Sequence, residues 1–281
     1  MIFHYFAAAQ NLLDILEEEQ QNSLTNKTTA IFKGSRIVNV QSIENRSKGS
    51  LELIIAHRFG QITGGTYELF GIDQANMRIA LEYVPIQGLT LGFGRSSLRK
   101  TYDGFLKYRI LSQQTGKTNI PFSVAVFSSI NAETVKTYIA ELDYKVYTKL
   151  SYSYQLLLAR KFSPGFSLQI TPTIVHRNYV LNVSDNHDIY ALGAGSRIKV
   201  TNRMSVNLEY HYVFNPIKSY NTFNSMAIGF DIETGGHVFQ LHFSNAQSML
   251  EKGFITETTS DFTKGEIHFG FNITRTFQIK H

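Results

Sequence analysis

Two of the nine histidines stand in alternating stretches beside carboxylates of the same parity: His211 with Glu209, and His268 with Glu266. A carboxylate next to an imidazole is raw material for a metal site or for general-base catalysis. On strands, however, such pairs are spread over distant staves, and no HExxH or comparable local motif holds two ligands together. No metal is assigned. A second cluster, Asp185, His187 and Asp188, gathers the acids and imidazole that a membrane-embedded hydrolase would bring together at its outer rim. A solvated polar loop accounts for the same residues. The glycines of GQITGGTYELFG, from Gly60, lack the spacing of a dinucleotide or phosphate-binding loop. The chain has no cysteine, which removes disulfides, thiolate metal sites, a cysteine nucleophile and a lipidated N-terminal cysteine. The reading therefore assigns no catalytic residue and no cofactor, and the chain is not read as an enzyme.

The elements that must position these residues are strands. From Leu51 onward, apolar and small or polar residues alternate with period two. Met77, Ile79, Leu81 and Tyr83 alternate with Arg78, Ala80 and Glu82; Met204, Val206, Leu208, Tyr210 and Tyr212 alternate with Ser205, Asn207, Glu209 and His211. Tight turns at Pro85 to Gly88, Ser163 to Gly165, Thr201 to Arg203 and Thr234 to Gly236 carry the Pro, Gly or Asn that such turns need. Between them fall longer links, at Gln61 to Asn76, Asn131 to Val146, Tyr179 to Asp188, Asn215 to Phe223 and Asn245 to Lys264. Short and long connections in alternation are the mark of an outer-membrane barrel, and the count comes to about twelve antiparallel strands. The rhythm is least regular between Ser97 and Pro121.

The fold class is all-β: a closed antiparallel transmembrane β-barrel, with a short amphipathic helix at Asn11 to Gln21 and a strand-like stretch at Thr28 to Val40 left outside the wall. The apolar face is assigned to lipid because the other face is too poor in polar atoms to meet water. Gly92, Gly94, Ala125, Ala191, Gly193, Gly195, Ala227, Gly229 and Gly270 fit the inside of a barrel, where they leave room for long side chains. No run of ~18 apolar residues exists to form a transmembrane helix. Charged residues make up 17% of the chain, against roughly 25% in soluble domains. A net charge of +5 without any Lys/Arg-rich block speaks against nucleic acid as a partner.

Parity then predicts the lumen lining: Arg78, Glu82, Lys107, Arg109, Lys149, Arg197, Lys199, Glu209, His211, Asp231, Glu266 and His268. Positive charge exceeds negative in this set, so small anionic solutes are the expected partners besides outer-membrane lipid. The oligomeric state is left open. Residues 1–10 read as the remnant of a signal peptide, 11–48 as a periplasmic helix and extended segment, and 49–281 as the barrel.

The stretches FKGSRIVN from Phe32, KGSLELIIAHRFG from Lys48, ELFGIDQANMRIALEY from Glu68 and GFGRSSLRKTYDGFLKYRIL from Gly92 resemble an uncharacterised family of Bacteroidota outer-membrane β-barrel proteins. The resemblance covers nearly the whole chain after its first twenty residues. It implies a barrel in the outer membrane of a Gram-negative bacterium, with no established activity and no functional residues to carry over. One departure is the C-terminus, where Phe277 is followed by Gln278, Ile279, Lys280 and His281 instead of closing on an aromatic. Three functions share this fold: a pore or transporter for small solutes, which leads; a non-catalytic structural or binding barrel with a filled lumen; and a membrane-embedded hydrolase.

Overall fold

A computed structural model describes residues 25–135, 146–234 and 237–279. The expected signal remnant and the helix at Asn11 to Gln21 lie outside the described residues. The wall consists of β1 (Ser50–Gln61), β2 (Asn76–Ile86), β3 (Leu89–Ser96), β4 (Tyr102–Leu111), β5 (Ser123–Ala132) and β6 (Leu150–Ser163), followed by β7 (Phe166–Arg177), β8 (Asp188–Lys199), β9 (Met204–Val213), β10 (Ser225–Thr234), β11 (His237–Ser244) and β12 (His268–Gln278). Each strand pairs antiparallel with the next, and β12 pairs with β1, so the twelve strands close into a barrel without an edge. The irregular stretch between Ser97 and Pro121 contributes one wall strand, β4. Beyond its end Gln114–Thr115 pairs with Asn26–Lys27 outside the barrel.

Alternation sets the two faces. Ile79 and Leu81 on β2 and Leu208 on β9 are exposed outward, while Arg78, Glu82 and Glu209 on the same strands are buried inward. A belt of exposed Leu, Ile, Phe and Tyr around a closed barrel is stable only against lipid, because lipid leaves every backbone group to be satisfied within the wall. This is a bacterial outer-membrane barrel. Phe162 and Phe166 meet at 5.8 Å at the short-turn end, and Tyr212 and Phe214 at 5.1 Å at the long-loop end. Such aromatics suit the two interfaces.

Glycines act where space or geometry demands them. Gly88 closes the β2–β3 turn with φ at +89°, a conformation open to glycine without steric cost. A side chain at Gly92 would meet the Phe105 ring at 2.0 Å, so the bare backbone of β3 is what lets Phe105 turn inward from β4.

The apolar core lies inside the lumen. The chain enters at the short-turn end, where Thr28 N donates to the Gln113 carbonyl at 2.8 Å, runs up the barrel, turns, and returns to join the wall at Ser50. On the way Ile31, Phe32, Ile37, Val40 and Ile43 are buried against Ala125, Leu157, Ala159 and Ala191 of the wall. From the opposite end the link between β11 and β12 folds inward as a short helix, α1 (Glu251–Thr256), whose Phe254 and Ile255 join the same core. The strand-like stretch at Thr28 to Val40 is thus outside the wall in sequence order and inside the barrel in space.

Candidate functional site: the occupied lumen and its outer vestibule

The plug is a hairpin held by the wall. Arg36 and Gln41 bridge its two arms, and the turn between them is Ile37, Val38, Asn39 and Val40. In an ordinary four-residue turn the last amide returns to the first carbonyl. Here the wall takes both groups. Glu209 Oε2 accepts the amides of Val38, Asn39 and Val40 at 3.1, 2.9 and 3.1 Å. The Ile37 carbonyl accepts from Asn207 Nδ2 at 3.2 Å and from Gln240 Nε2 at 3.0 Å. Further along, the Gln169 amide reads the plug backbone in both directions, accepting from Ile43 N and donating to the Gln41 carbonyl, each at 2.8 Å. Most of this attachment runs from wall side chains to plug backbone, so the plug's own side chains need only fill space.

Most of the wall's inward positive charges are taken up by the plug or by partners within the wall. Lys107 Nζ donates to Gln41 Oε1, to the Ser42 carbonyl and to the Glu44 carbonyl, at 3.1, 3.1 and 2.7 Å. Arg109 donates to the Ile43 carbonyl at 2.6 Å and faces Glu44 at 3.4 Å. Arg197 reaches the Ala30 and Ile31 carbonyls at 3.3 and 3.4 Å. Arg78 instead pairs within the wall, with Nε donating to Asp103 Oδ1 at 3.0 Å. Buried charge is tolerable only when partnered in this way.

Of the predicted lining, Arg78, Glu82, Lys107, Arg197, Glu209, His211, Asp231 and His268 are buried on inward faces, and Arg109 and Lys199 are half-buried near the short-turn end. Glu82 lies opposite Glu52 across the β1–β2 pair, with Arg46 bound to Glu52 at 2.7 Å. Asp231 Oδ1 accepts from Gln240 at 2.8 Å. Two residues fall outside the wall strands. Lys149 ends a short turn (Val146–Lys149) ahead of β6, and Glu266 precedes β12, where it accepts from Asp261 N at 2.7 Å. Period two holds only within a strand, and both residues lie before one begins.

Parity reasoning also missed Glu52, Arg58 and Asp103, all buried inward. Arg58 donates to Asn39 Oδ1 at the plug tip at 2.7 Å and to the Ala246 carbonyl at 3.0 Å. The signal was present, since Glu52 and Arg58 share parity on β1, but Leu53, Ile54 and Ile55 between them make both faces apolar and hide it.

His211 and His268 do not converge on a shared site. His211 lies 3.7 Å from Glu209 and packs edge-on against Phe254 at 5.1 Å, while His268 Nδ1 is 2.9 Å from the Phe59 carbonyl. Among the described residues no group of three or more acids and histidines could hold a metal ion. The Asp185, His187 and Asp188 cluster is taken up by loop structure. Asp185 Oδ1 accepts from Lys218 N and Ser219 N, each at 3.0 Å; His187 Nδ1 is 2.6 Å from the Arg177 carbonyl; Asp188 pairs with His176 at 2.7 Å. The Ser219 hydrogen bonds hold the Asp185 carboxyl below the usual carboxylate range.

Above the plug the long loops enclose a vestibule with two cavities, of 470 and 310 Å³. Arg99, Glu133, Tyr220, Lys252 and Glu257 line both. Four of these form a ring of ion pairs. Arg99 meets Glu133 at 3.2 Å and Glu257 at 3.1 Å, and Lys252 meets Glu257 at 2.9 Å and also Glu133. Burial works to raise the Glu133 carboxyl, but Lys252 and Arg99 outweigh it and hold it below its ordinary range. Burial, with Glu257 adding to it, pushes the Tyr220 phenol up to about 12. Glu251, between the vestibule residues Leu250 and Lys252, turns the other way and pairs with Arg36 of the plug at 3.2 Å. One short helix therefore touches both the vestibule and the stopper beneath it.

The family description "Membrane bound beta barrel domain (DUF5777)" matches residues 32–277. That span takes in the plug as well as the wall. A comparison with curated proteins finds no match. Among solved structures, the NanC porin is similar at 8% identity and a TM-score of 0.49, covering 81% of this chain and 98% of that one. The KdgM porin gives 9% and 0.49, covering 81% and 99%. An outer membrane channel from Pseudomonas putida F1 gives 12% and 0.42, covering 83% and 97%.

Proposed function

We propose, for a chain that belongs to the family of membrane-bound β-barrel domains DUF5777, a gated passage for small polar solutes across the outer membrane. Residues 31–46 serve as its stopper. The observation that carries this reading is the way the stopper is held: Glu209, Lys107, Gln169, Gln240 and Asn207 bind its backbone by hydrogen bonds that water can replace. The wall behind it is lined largely by Ser, Thr, Asn, Gln and charged residues, which a water-filled path requires, with one apolar patch at Ala125, Leu157, Ala159 and Ala191. The Bacteroidota source suggested by the resemblance belongs to the same proposal, as does the periplasmic side for the end at which the N-terminal segment enters.

Solute preference follows from the wall once the stopper leaves. Arg58, Arg78, Lys107, Arg109, Lys161, Arg177, Arg197 and Lys199 then stand against Glu52, Glu82, Asp103, Glu209, Asp231 and Glu233, leaving two positive charges in excess. That supports a weak preference for anions, with the same net excess as the sequence-derived lining gives.

A second reading, a permanently filled structural barrel, draws on the apolar contact of Ile37, Val40 and Ile43 with Phe254 and Ile255 in one core. Single-channel recording in planar bilayers separates the two. The full chain is expected to be closed with rare openings, and replacement of residues 31–46 by a Gly/Ser segment of equal length should give a stably open pore. Silence from both, with the barrels folded, refutes passage. Should the replacement fail to fold, a disulfide between Val38→Cys and Gly229→Cys, whose side chains would be in contact, should abolish the openings until reduced. Openings that persist through the lock would show that the stopper is not the gate.

A further inference from the structure

We propose that the larger vestibule cavity is a binding site for an uncharged, hydroxyl-rich solute of the saccharide class, taken up from outside before it reaches the stopper. This rests on the passage reading and names its substrate class. At 470 Å³ the cavity falls within the roughly 300–1,000 Å³ typical of small-molecule sites.

The cavity's chemistry selects against other classes of solute. Of its charged residues, Arg99, Glu133, Lys252 and Glu257 are bound to one another, so an anionic solute would have to break that ring to be recognised, and Glu68, which lines the cavity outside the ring, would repel it. An apolar solute would meet amides and hydroxyls, among them Gln74, Gln247 and Thr259. Apart from Glu68, what remains on offer is neutral hydrogen bonding.

Asn131 is the sharpest sign of it. This residue is 1% exposed and lines the cavity, yet its Nδ2 and Oδ1 both lack a hydrogen-bond partner among the described residues. A buried amide left unpaired is costly, so such a group is filled by water or by a ligand. One donor and one acceptor side by side match adjacent hydroxyls, each of which can accept and donate. Ser151, paired with Asn131 across β5 and β6, also leaves its Oγ unpartnered and lines the neighbouring cavity. Tyr220, shared by both cavities, supplies a ring against which the C–H face of a sugar can pack.

The test uses the full chain in detergent micelles, with sucrose and maltotriose as neutral probes and glucuronate and spermidine as charged ones, read by ligand-observed NMR. The expected result is millimolar binding of a neutral sugar. Asn131→Ala should weaken it by about tenfold while leaving heat-modifiable gel mobility unchanged. If Asn131→Ala does not fold, Tyr220→Leu, in a loop outside the wall, should give a similar loss. The proposal is overturned by saturating concentrations of both sugars without binding, by tighter binding of either charged probe, or by an Asn131→Ala barrel that binds as the parent does. Conductance keeps the two readings apart. A stopper-replaced barrel that conducts but binds no sugar overturns the site alone, and one that binds sugar but never conducts overturns the passage alone.

Discussion

Removing the Glu209 side chain tests how the stopper is seated. One carboxylate oxygen accepts three consecutive plug amides, at 3.1, 2.9 and 3.1 Å. A hydrogen bond to a charged group contributes about 1.5–3 kcal/mol, but the three share one oxygen and are lost together, so simple addition overstates the effect. Glu209→Ala should therefore loosen the seat by ~4 kcal/mol, discounted for water entering the space that the side chain leaves. That corresponds to roughly a thousandfold change in the ratio of released to seated plug. Hydrogen exchange reads it directly. Amides 38–40 should lose protection by about that factor in Glu209→Ala, whereas wall amides in β1 and β9 keep theirs. Glu209→Gln, which retains one acceptor of similar shape without the charge, should fall between parent and Ala. Unchanged exchange at Val38 to Val40 in Glu209→Ala would refute the argument, because the apolar contacts alone would then be holding the turn.

Three further outcomes follow from the same geometry. Leu208→Arg, at an exposed outward position midway along β9, should destabilise the barrel by about 2–4 kcal/mol in a lipid bilayer, read from its urea midpoint; no effect would contradict the lipid-facing assignment. Asp103→Leu strands the buried Arg78 guanidinium and should cost about 3 kcal/mol, toward the low end because Glu82 and Glu251 remain nearby. The double variant with Arg78→Met should recover most of that loss, and a double variant as unstable as the single would rule out stranded charge as the cause. The vestibule ring should respond to acid. The carboxyl of Glu133 is depressed in the folded protein, so its contribution is complete above the ordinary glutamate range and is lost as pH falls below it through the depressed value. Proteolysis of the link between β11 and β12 should accelerate only at such low pH; acceleration near neutrality would assign the effect to another group.

The wall was legible in the sequence because each strand has one neighbour class on each face. Leu81 sees lipid and Glu82 sees the lumen, so the polarity of successive residues reports their surroundings, and closure follows from strand number and loop rhythm. The same rule explains where reading by parity fails. On β1 the inward Ile54 and Ala56 pack against the interior and resemble their outward neighbours, which hid Glu52 and Arg58. Lys149 and Glu266 kept the parity of the strands that follow them but lie before those strands begin.

The plug was not legible for a deeper reason. Periodicity arises when an element has a wet side and a dry side, or a lipid side and a protein side. A hairpin inside a barrel has neither, since the wall surrounds it on every face and supplies apolar contact and hydrogen bonds in the same plane. Ile37 and Val40 are buried as deeply as Asn39 and Gln41, and the blurred alternation of Thr28 to Val40 is what such surroundings produce. The wall residues that seat it are individually unremarkable in sequence as well. Glu209 reads as one more inward charge on a strand, and its task becomes visible only when three amides 169 to 171 residues upstream are brought to it. Because those bonds go to backbone, substitution of plug side chains for others of similar volume should leave the seat intact, whereas a proline at Asn39 or Val40, which removes an amide, should not. Exchange at the remaining tip amides distinguishes the two: equal loss from Val40→Ile and Val40→Pro would mean that the seat is made by side-chain packing after all.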